Sequence, residues 1–277
     1  MNTVSINHRA PIAPNTVEAW AHDYVRTTNL SHKLNPPPLP SVWQSNPPRL
    51  CLEKPGRPAE LLRTTGRSRP PRSLESPRAR AKLLHTFVHH ELQAAELMCW
   101  ALLAFPDTEA AFRRGLLKIC LDEVRHMNLY RGHIEQLGFQ LGDFPIRDWF
   151  WQRVPNCLRP VQFVAMMGMG LEAANLEHAA DFSARFLEAG DAEGARIQDR
   201  VGAEEIPHVK FGVKWFQRWQ AANGQPATFD SWCRELPEPL SPLMMRGTPI
   251  NRAAREKAGM EASFLAELER WQPATRP

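Results

Sequence analysis

The sequence predicts an all-α protein with a four-helix bundle at its centre. Four long segments carry apolar residues at the three- and four-residue spacing of a buried helix face. Each segment lies between residues that favour the start of a helix and residues that favour its end. In addition, a lone glutamate followed by a Glu-x-x-His motif occurs twice along the chain. That doubled order of acids and histidines is typical of four helices packed around one metal site.

The first two bundle helices are predicted over residues 77–105 and 108–136. Pro77 follows a serine, and proline is favoured in the first turn of a helix because its missing N–H has no partner there anyway. Pro106 ends the first helix. Gly138 ends the second, since glycine readily adopts the left-handed conformation that follows a helix.

The third and fourth bundle helices are predicted over residues 160–190 and 191–222. Gly168 and Gly170 lie inside the third helix, where each glycine costs about 1 kcal/mol relative to alanine. Close helix packing explains them best, and space for a small molecule is the alternative. Pro207 lies inside the fourth helix, and we expect a kink there because proline removes a backbone hydrogen bond.

Two flanking segments differ in composition from the bundle, which covers residues 77–224. Residues 1–76 form a predicted N-terminal arm, because 13 of the 25 prolines fall in residues 1–77. Proline runs favour extended chain, and apolar anchors in this arm should hold it against the bundle. Residues 225–277 contain a proline-rich turn region and then short helices, which we expect to cover one end of the bundle.

The doubled motif carries the chemistry. The lone glutamate precedes Glu-x-x-His by 32 residues in the first copy and by 33 in the second. Residues three apart on a helix are separated by about 60° around its axis, so each Glu-x-x-His pair faces one point. Four carboxylates without a cation would be costly to bury, which disfavours a purely structural polar network. The predicted metal ligands are Glu91, Glu123, His126, Glu172, Glu205 and His208.

Other polar residues near the motif are predicted to lie outside the ligand set. Glu96 and Glu177 each follow a lone glutamate by five residues, about 140° around the helix. We expect both to be supporting or interhelical groups rather than ligands, although either could bind a metal, and His178 is the best candidate among the other histidines for a supporting group. Glu204 neighbours Glu205 and is expected to point elsewhere.

Composition limits the compartment and the partners. The chain has 277 residues, 43% of them hydrophobic, and a net charge of +4. Its five cysteines are scattered without a Cys-x-x-Cys pair, which predicts free thiols, a reducing compartment and no zinc knuckle. The chain shows neither the apolar core of a signal peptide nor a long apolar run. We therefore expect a cytoplasmic protein without a membrane partner.

Residues 63–82 are strongly basic. Six arginines and one lysine face a single glutamate, so the local charge is +7 − 1 = +6. One interpretation is a solvated strap that leads into the first bundle helix. The other is a contact surface for an anion or a nucleic acid. The first interpretation is favoured, because no aromatic residues that could stack on bases are interleaved with these charges.

Several segments together resemble a known family. They are HKLNPPPLP in the arm, then HHELQAAEL, DEVRHM, LGDFPIRD, GLEAANLEH and EEIPHVKFGVKWF. The chain resembles the bacterial domain of unknown function 455, a group within the ferritin-like superfamily that is distantly similar to a tRNA-modifying di-iron hydroxylase. The resemblance implies a ferritin-like four-helix bundle and the same six metal ligands. It implies two iron ions, with manganese as the alternative, and it implies no substrate.

Three functions follow as hypotheses. The first is a dioxygen-activating di-iron oxidase or oxygenase that acts on an organic small molecule or RNA and receives electrons from an external donor. The second is iron oxidation or peroxide removal without an organic substrate. The third is a non-enzymatic scaffold that metal stabilises. Turnover separates them, because only the oxygenase needs an organic co-substrate and the scaffold shows no redox chemistry.

Overall fold

The computed structural model describes residues 11–61, 63–64 and 71–273, and these residues form an all-α bundle as predicted. Within those ranges there is no strand, only one isolated backbone bridge between Arg63 and Ile146. No helix in the described ranges is both long enough and apolar enough to cross a membrane. Arg67 and Arg69 of the basic segment lie outside the described residues.

The N-terminal arm contains two short helices, α1 (Val17–Arg26) and α2 (Leu30–Leu34). The Thr16 side chain accepts a hydrogen bond from the backbone of the first turn and so caps α1. The arm then runs extended beside the first bundle helix, where the indole of Trp100 donates to the carbonyl of Leu52 at 3.1 Å. The arm therefore lies against the bundle through apolar and hydrogen-bonded contacts.

The first half of the bundle is the pair α3 (Pro77–Ala104) and α4 (Ala110–Gln136), which pack along each other. Ser76 caps α3 and Pro77 occupies its first turn, as the sequence predicts. Gly138 has a φ of +85°, the left-handed conformation expected after a helix end.

The second half of the bundle is an interrupted helix packed along a continuous one. The interrupted helix comprises α5 (Pro160–Met166), a π-helical turn (Met167–Glu172) and α6 (Ala173–Glu188). The continuous helix α7 (Ala192–Ala222) remains helical through Pro207. The sequence did not predict this π-helical turn beside the cluster, and the kink expected at Pro207 stays a prediction, since α7 continues through that residue as a helix. Such π-helical turns occur frequently at functional sites.

Glycines allow the two halves of the second pair to approach closely. A Cβ atom on Gly168 would lie 2.7 Å from the Cα of Gly212 on α7, which is too close for two carbon atoms. A Cβ on Gly170 would lie 2.6 Å from the sulfur of Met245. The close-packing explanation of both glycines is therefore confirmed.

The C-terminal extension adds α8 (Phe229–Glu235), α9 (Arg252–Lys257) and α10 (Ala262–Arg270). These helices pack on α5, α6 and α7. One continuous apolar core includes residues from the arm, the bundle and the extension. All three predicted segments thus contribute to a single core.

Candidate metal centre

A buried cluster of carboxylates and imidazoles lies between the four bundle helices. Helix α3 and the end of the π-helical turn each contribute one glutamate, while α4 and α7 each contribute a Glu-x-x-His pair. Each of the six residues is at most 6% exposed. The cluster consists of Glu91, Glu123, His126, Glu172, Glu205 and His208.

The six residues form two groups that could each hold one metal ion. In each group, one oxygen or nitrogen atom per residue lies within 4.8 Å of the corresponding atoms of the others. The first group is Glu91, Glu123, His126 and Glu205, and the second is Glu123, Glu172, Glu205 and His208. Glu123 and Glu205 belong to both groups. If each group held one ion, the two ions would share these two carboxylates.

Both imidazoles turn the same ring nitrogen toward the carboxylates. His126 Nδ1 lies 3.2 Å from Glu123 Oε2. His208 Nδ1 lies 2.9 Å from Glu205 Oε2 and 3.0 Å from Glu123 Oε1. Nδ1 is therefore the nitrogen that each histidine could offer to a metal.

The other ring nitrogen of each histidine contacts an acid from the opposite helix. His126 Nε2 lies 2.9 Å from Glu204 Oε2, and His208 Nε2 lies 3.3 Å from Asp122 Oδ2. A carboxylate behind a ligating histidine fixes the ring orientation and raises the basicity of the ligand. Glu204 therefore supports the site, contrary to the expectation that it points away. Asp122 has the same role, which the sequence analysis missed.

Two arginines hold these outer acids in place. Arg125 donates to both of them, at 2.6 Å to Asp122 and more closely to Glu204, and Arg200 donates to Glu204 at 3.1 Å. Burial opposes ionisation of Glu204, but hydrogen bonds from Arg125, Arg200 and His126 lower its pKa to about 2. A signal for this arrangement does exist in the sequence, because an acid directly precedes each Glu-x-x-His motif.

The electrostatics of the ligands favour a bound cation. Burial and the neighbouring carboxylates raise the pKa values of Glu91 and Glu172 well above the usual range when no ion is present. Glu172 Oε1 is buried without a hydrogen-bond partner, which is costly for a polar atom. Four ionised carboxylates would cancel the charge of two divalent cations. The residues therefore fit a pair of such ions.

The two glutamates predicted to support the ligands instead anchor the flanking segments. Both oxygens of Glu96 accept hydrogen bonds from Arg57, and Lys33 donates to Glu96 at 2.8 Å. Both oxygens of Glu177 accept from Arg255. Glu96 thus ties the arm to α3, and Glu177 ties the C-terminal extension to α6. The five-residue spacing did not reveal these partners, because they lie far away in the sequence.

A cavity of about 240 Å³ adjoins the cluster at Glu91 and Glu172. Phe87, Trp149 and Phe150 form aromatic walls of this space. Its lining also includes Ala94, Leu171, Ala174, Asn175, Met244, His90 and His178. A small apolar molecule in this cavity would lie beside the carboxylates of Glu91 and Glu172.

Two histidines of this lining have distinct surroundings. His178, predicted to support the ligands, instead lines the cavity and is partly exposed to solvent. His90 stacks on Phe150, with ring centroids 5.1 Å apart. Burial, followed by the neighbouring histidines, lowers the pKa of His90 to about 3, so its imidazole is neutral at physiological pH.

The family of the chain follows from its sequence. The profile described as "Protein of unknown function (DUF455)" matches residues 5–266. The chain belongs to the DUF455 family. The chain is 26% identical over 211 residues to a Haemophilus influenzae relative named "Uncharacterized protein", and the match covers 72% of each chain. No solved structure matches the chain. The family description names neither a substrate nor a metal for the chain.

Proposed function

We propose that this DUF455 protein binds two iron ions and uses them to oxidise an organic substrate with dioxygen. The observation that carries the proposal is that both four-residue groups share Glu123 and Glu205. Oxygen and imidazole ligands in such a set suit iron or manganese. One ion would be held by Glu91 and His126 and the other by Glu172 and His208, with both shared glutamates between them.

In the proposed reaction the metal would supply the redox chemistry, and the protein would orient the ligands and the substrate. Bound as a ferrous pair, the metal would supply two of the four electrons that reduce dioxygen to water; the substrate would supply the other two, and an external donor would return the pair to the ferrous state. Asp122 and Glu204 orient the two imidazoles through Nε2, so that Nδ1 stays directed at the ions. The aromatic walls of the cavity exclude water and orient the substrate beside Glu91 and Glu172.

The cavity favours this function over the two alternatives. Iron oxidation and peroxide removal need no space for an organic molecule beside the ions. A metal-stabilised scaffold needs neither the space nor an opening to it. A volume of about 240 Å³ with aromatic walls is close to the lower end of the range for small-molecule sites. An organic co-substrate is therefore the best explanation of this space.

Metal content and dioxygen consumption test the proposal. The full-length protein is loaded anaerobically with Fe(II), desalted, and analysed for iron before exposure to dioxygen. The matched variant is Glu123→Gln/Glu205→Gln, which preserves side-chain volume and removes both shared carboxylates. Glu135→Gln/Glu188→Gln is the control, because it removes two carboxylates from exposed positions.

We expect two irons per chain in the wild type and the control, and substantially less iron in the folded ligand variant. Loaded wild type should then consume dioxygen and show an absorption change that the ligand variant lacks. Iron loading equal in all three proteins would overturn the dinuclear site. Bound iron that never reacts with dioxygen would overturn the oxidase and support the scaffold. Dioxygen consumption only in step with added Fe(II), regardless of any organic compound, would support iron oxidation instead.

A further inference from the structure

The cavity beside the ligands continues into a second space. This second cavity has a volume of about 300 Å³. Its additional lining is mainly apolar and includes Leu83, Ile146 and Phe182. The residues that line both cavities are Phe87, His90, Trp149, Asn175 and His178. Because they share five lining residues, the two cavities are neighbours, and an elongated ligand that filled both would extend to Glu91 and Glu172.

Two arginines at the second cavity, or next to a residue that lines it, have no carboxylate partner. Arg147 lines the second cavity, and Arg153 stacks over the ring of Trp149 at 4.0 Å from its centroid. Their guanidinium groups each lie 3.5 Å from the same oxygen of Gln152, so the two charges are close together. In the described ranges of the chain, neither arginine forms an ion pair with a carboxylate.

Several other arginines of the protein are paired with acids. Arg57, Arg125 and Arg255 each contact a carboxylate directly. Burial, followed by the charge of Arg147, lowers the pKa of Arg153. The Nε atoms of both Arg147 and Arg153 are buried without a hydrogen-bond partner. Arg153 donates one N–H to the Trp149 carbonyl at 2.9 Å, and an anion between the two guanidinium groups would accept from their remaining N–H groups and offset their repulsion.

The basic segment begins at the same place. Arg63 forms a backbone bridge with Ile146, next to Arg147, and Thr64 donates its backbone N–H to the Ile146 carbonyl at 2.8 Å. The side chain of Arg63 is exposed. Arg63 and Arg147 thus bring positive charge from two segments of the chain to one region, and this charge would attract a negatively charged molecule.

We propose that the cavity binds a small molecule with an apolar body and one anionic head group. The body lies against Phe87, Trp149 and Phe150, which directs one end of it toward the proposed ions. The head group, a carboxylate or a phosphate, pairs with Arg147 and Arg153. This inference deepens the proposed function, since it names the substrate class of the same site, but binding itself requires only the cavity and the arginines.

Calorimetric titration of the full-length protein tests the inference with three probes of one ring system. Naphthoate and naphthyl phosphate carry the two candidate head groups, and naphthalenemethanol is the neutral analogue. The test variant is Arg147→Gln/Arg153→Gln. The control is Arg114→Gln/Lys118→Gln, which removes two positive charges from exposed positions on α4. An RNA oligonucleotide is titrated in parallel.

We expect one of the anionic probes to bind once per chain and the neutral analogue to bind at least about tenfold more weakly, the effect of one lost charged hydrogen bond. The preferred anion identifies the head group. Affinity for that probe should fall by a similar factor in the arginine variant and stay unchanged in the control. Equal binding of anionic and neutral probes would overturn the proposal, as would equal weakening in both variants. Binding of RNA alone, lost in the arginine variant, would also overturn it.

The metal-ligand variant separates this inference from the proposed function. Glu123→Gln/Glu205→Gln should still bind the anionic probe, because neither residue lines either cavity. Probe binding without iron binding in the wild type would overturn the proposed oxidase function and support the anion site. Iron binding and dioxygen consumption without probe binding would sink the anion site alone.

Discussion

Glu204 on α7 lies 2.9 Å from the Nε2 atom of His126 on α4. Asp122 makes the reciprocal contact with His208 at 3.3 Å. Each acid directly precedes the Glu-x-x-His motif of its own helix, yet it supports the histidine of the other helix. The two helices therefore hold each other's imidazoles, and a change in either acid should act on the metal site across their interface.

Removal of the Glu204 carboxylate should weaken metal binding. Glu204→Ala is expected to lower affinity for Mn(II) or Fe(II) about 10- to 100-fold, the usual effect of losing such an outer carboxylate. Asp122→Ala should act similarly through His208. Competition with a chelator of known affinity measures the effect, with Asp199→Ala as the exposed control on α7. Equal affinities of Glu204→Ala and Asp199→Ala would contradict the supporting role.

Loss of the Glu96 charge should affect stability rather than metal binding. Lys33 is fully buried and Arg57 nearly so, and Glu96 contacts both of their charges. Glu96→Gln would leave those charges buried without compensation, which lowers the free energy of unfolding by about 3–5 kcal/mol. Urea denaturation measures the change, with the exposed Glu188→Gln as control. An altered metal affinity with unchanged stability would restore the role that the sequence analysis gave to Glu96.

The long helices and the clustering of the six acids and histidines could be predicted because their signals are local. Pro77 and Gly138 mark helix ends through their own backbone preferences. The Glu-x-x-His spacing places its glutamate and its histidine on one face of a helix. The doubled motif then fixes how many helices share the site. These features need no knowledge of how the helices are rotated against each other.

The remaining features depend on that rotation and on distant partners. Glu204 reaches His126 only because α4 and α7 stand at a particular register, which no spacing within one helix reveals. Glu96 pairs with Lys33, which is 63 residues away, and Arg57. The π-helical turn at Met167–Glu172 was not predicted. The close contact of Gly168 with α7 provides a reason for that location, because a tight helix crossing constrains this turn.

A methyl group at Gly168 should separate two bundle helices. Its Cβ would lie 2.7 Å from the Cα of Gly212, and a backbone atom cannot rotate away. Gly168→Ala is therefore expected to lower the free energy of unfolding by about 1–3 kcal/mol, the usual cost of overpacking. Gly132→Ala is the control, because its Cβ would meet no atom within 4 Å. That change should raise stability by up to about 1 kcal/mol through helix propensity. Thermal or urea unfolding that ranks the two variants in the opposite order would contradict the close contact.

Metal binding should release protons and become tighter as pH rises. Burial disfavours the charged imidazole, but Glu123 and Glu205 raise the pKa of His208 well above its usual range when no ion is bound. Burial and the other carboxylates also raise the pKa values of Glu91 and Glu172. A metal ion binds neutral imidazole and ionised carboxylate, so it must displace these protons.

Because the pKa values are raised, protons compete with the ion even near neutral pH, and the competition weakens as pH increases. Affinity for Mn(II), which avoids oxidation during the measurement, should therefore increase steadily between about pH 6 and about pH 8. Calorimetry in buffers of different protonation enthalpy counts the released protons directly. The Glu204→Ala variant should release protons as well, since its ligands are intact, although its affinity is lower. A pH-independent affinity without proton release would mean that the ion binds elsewhere than among these buried carboxylates and imidazoles.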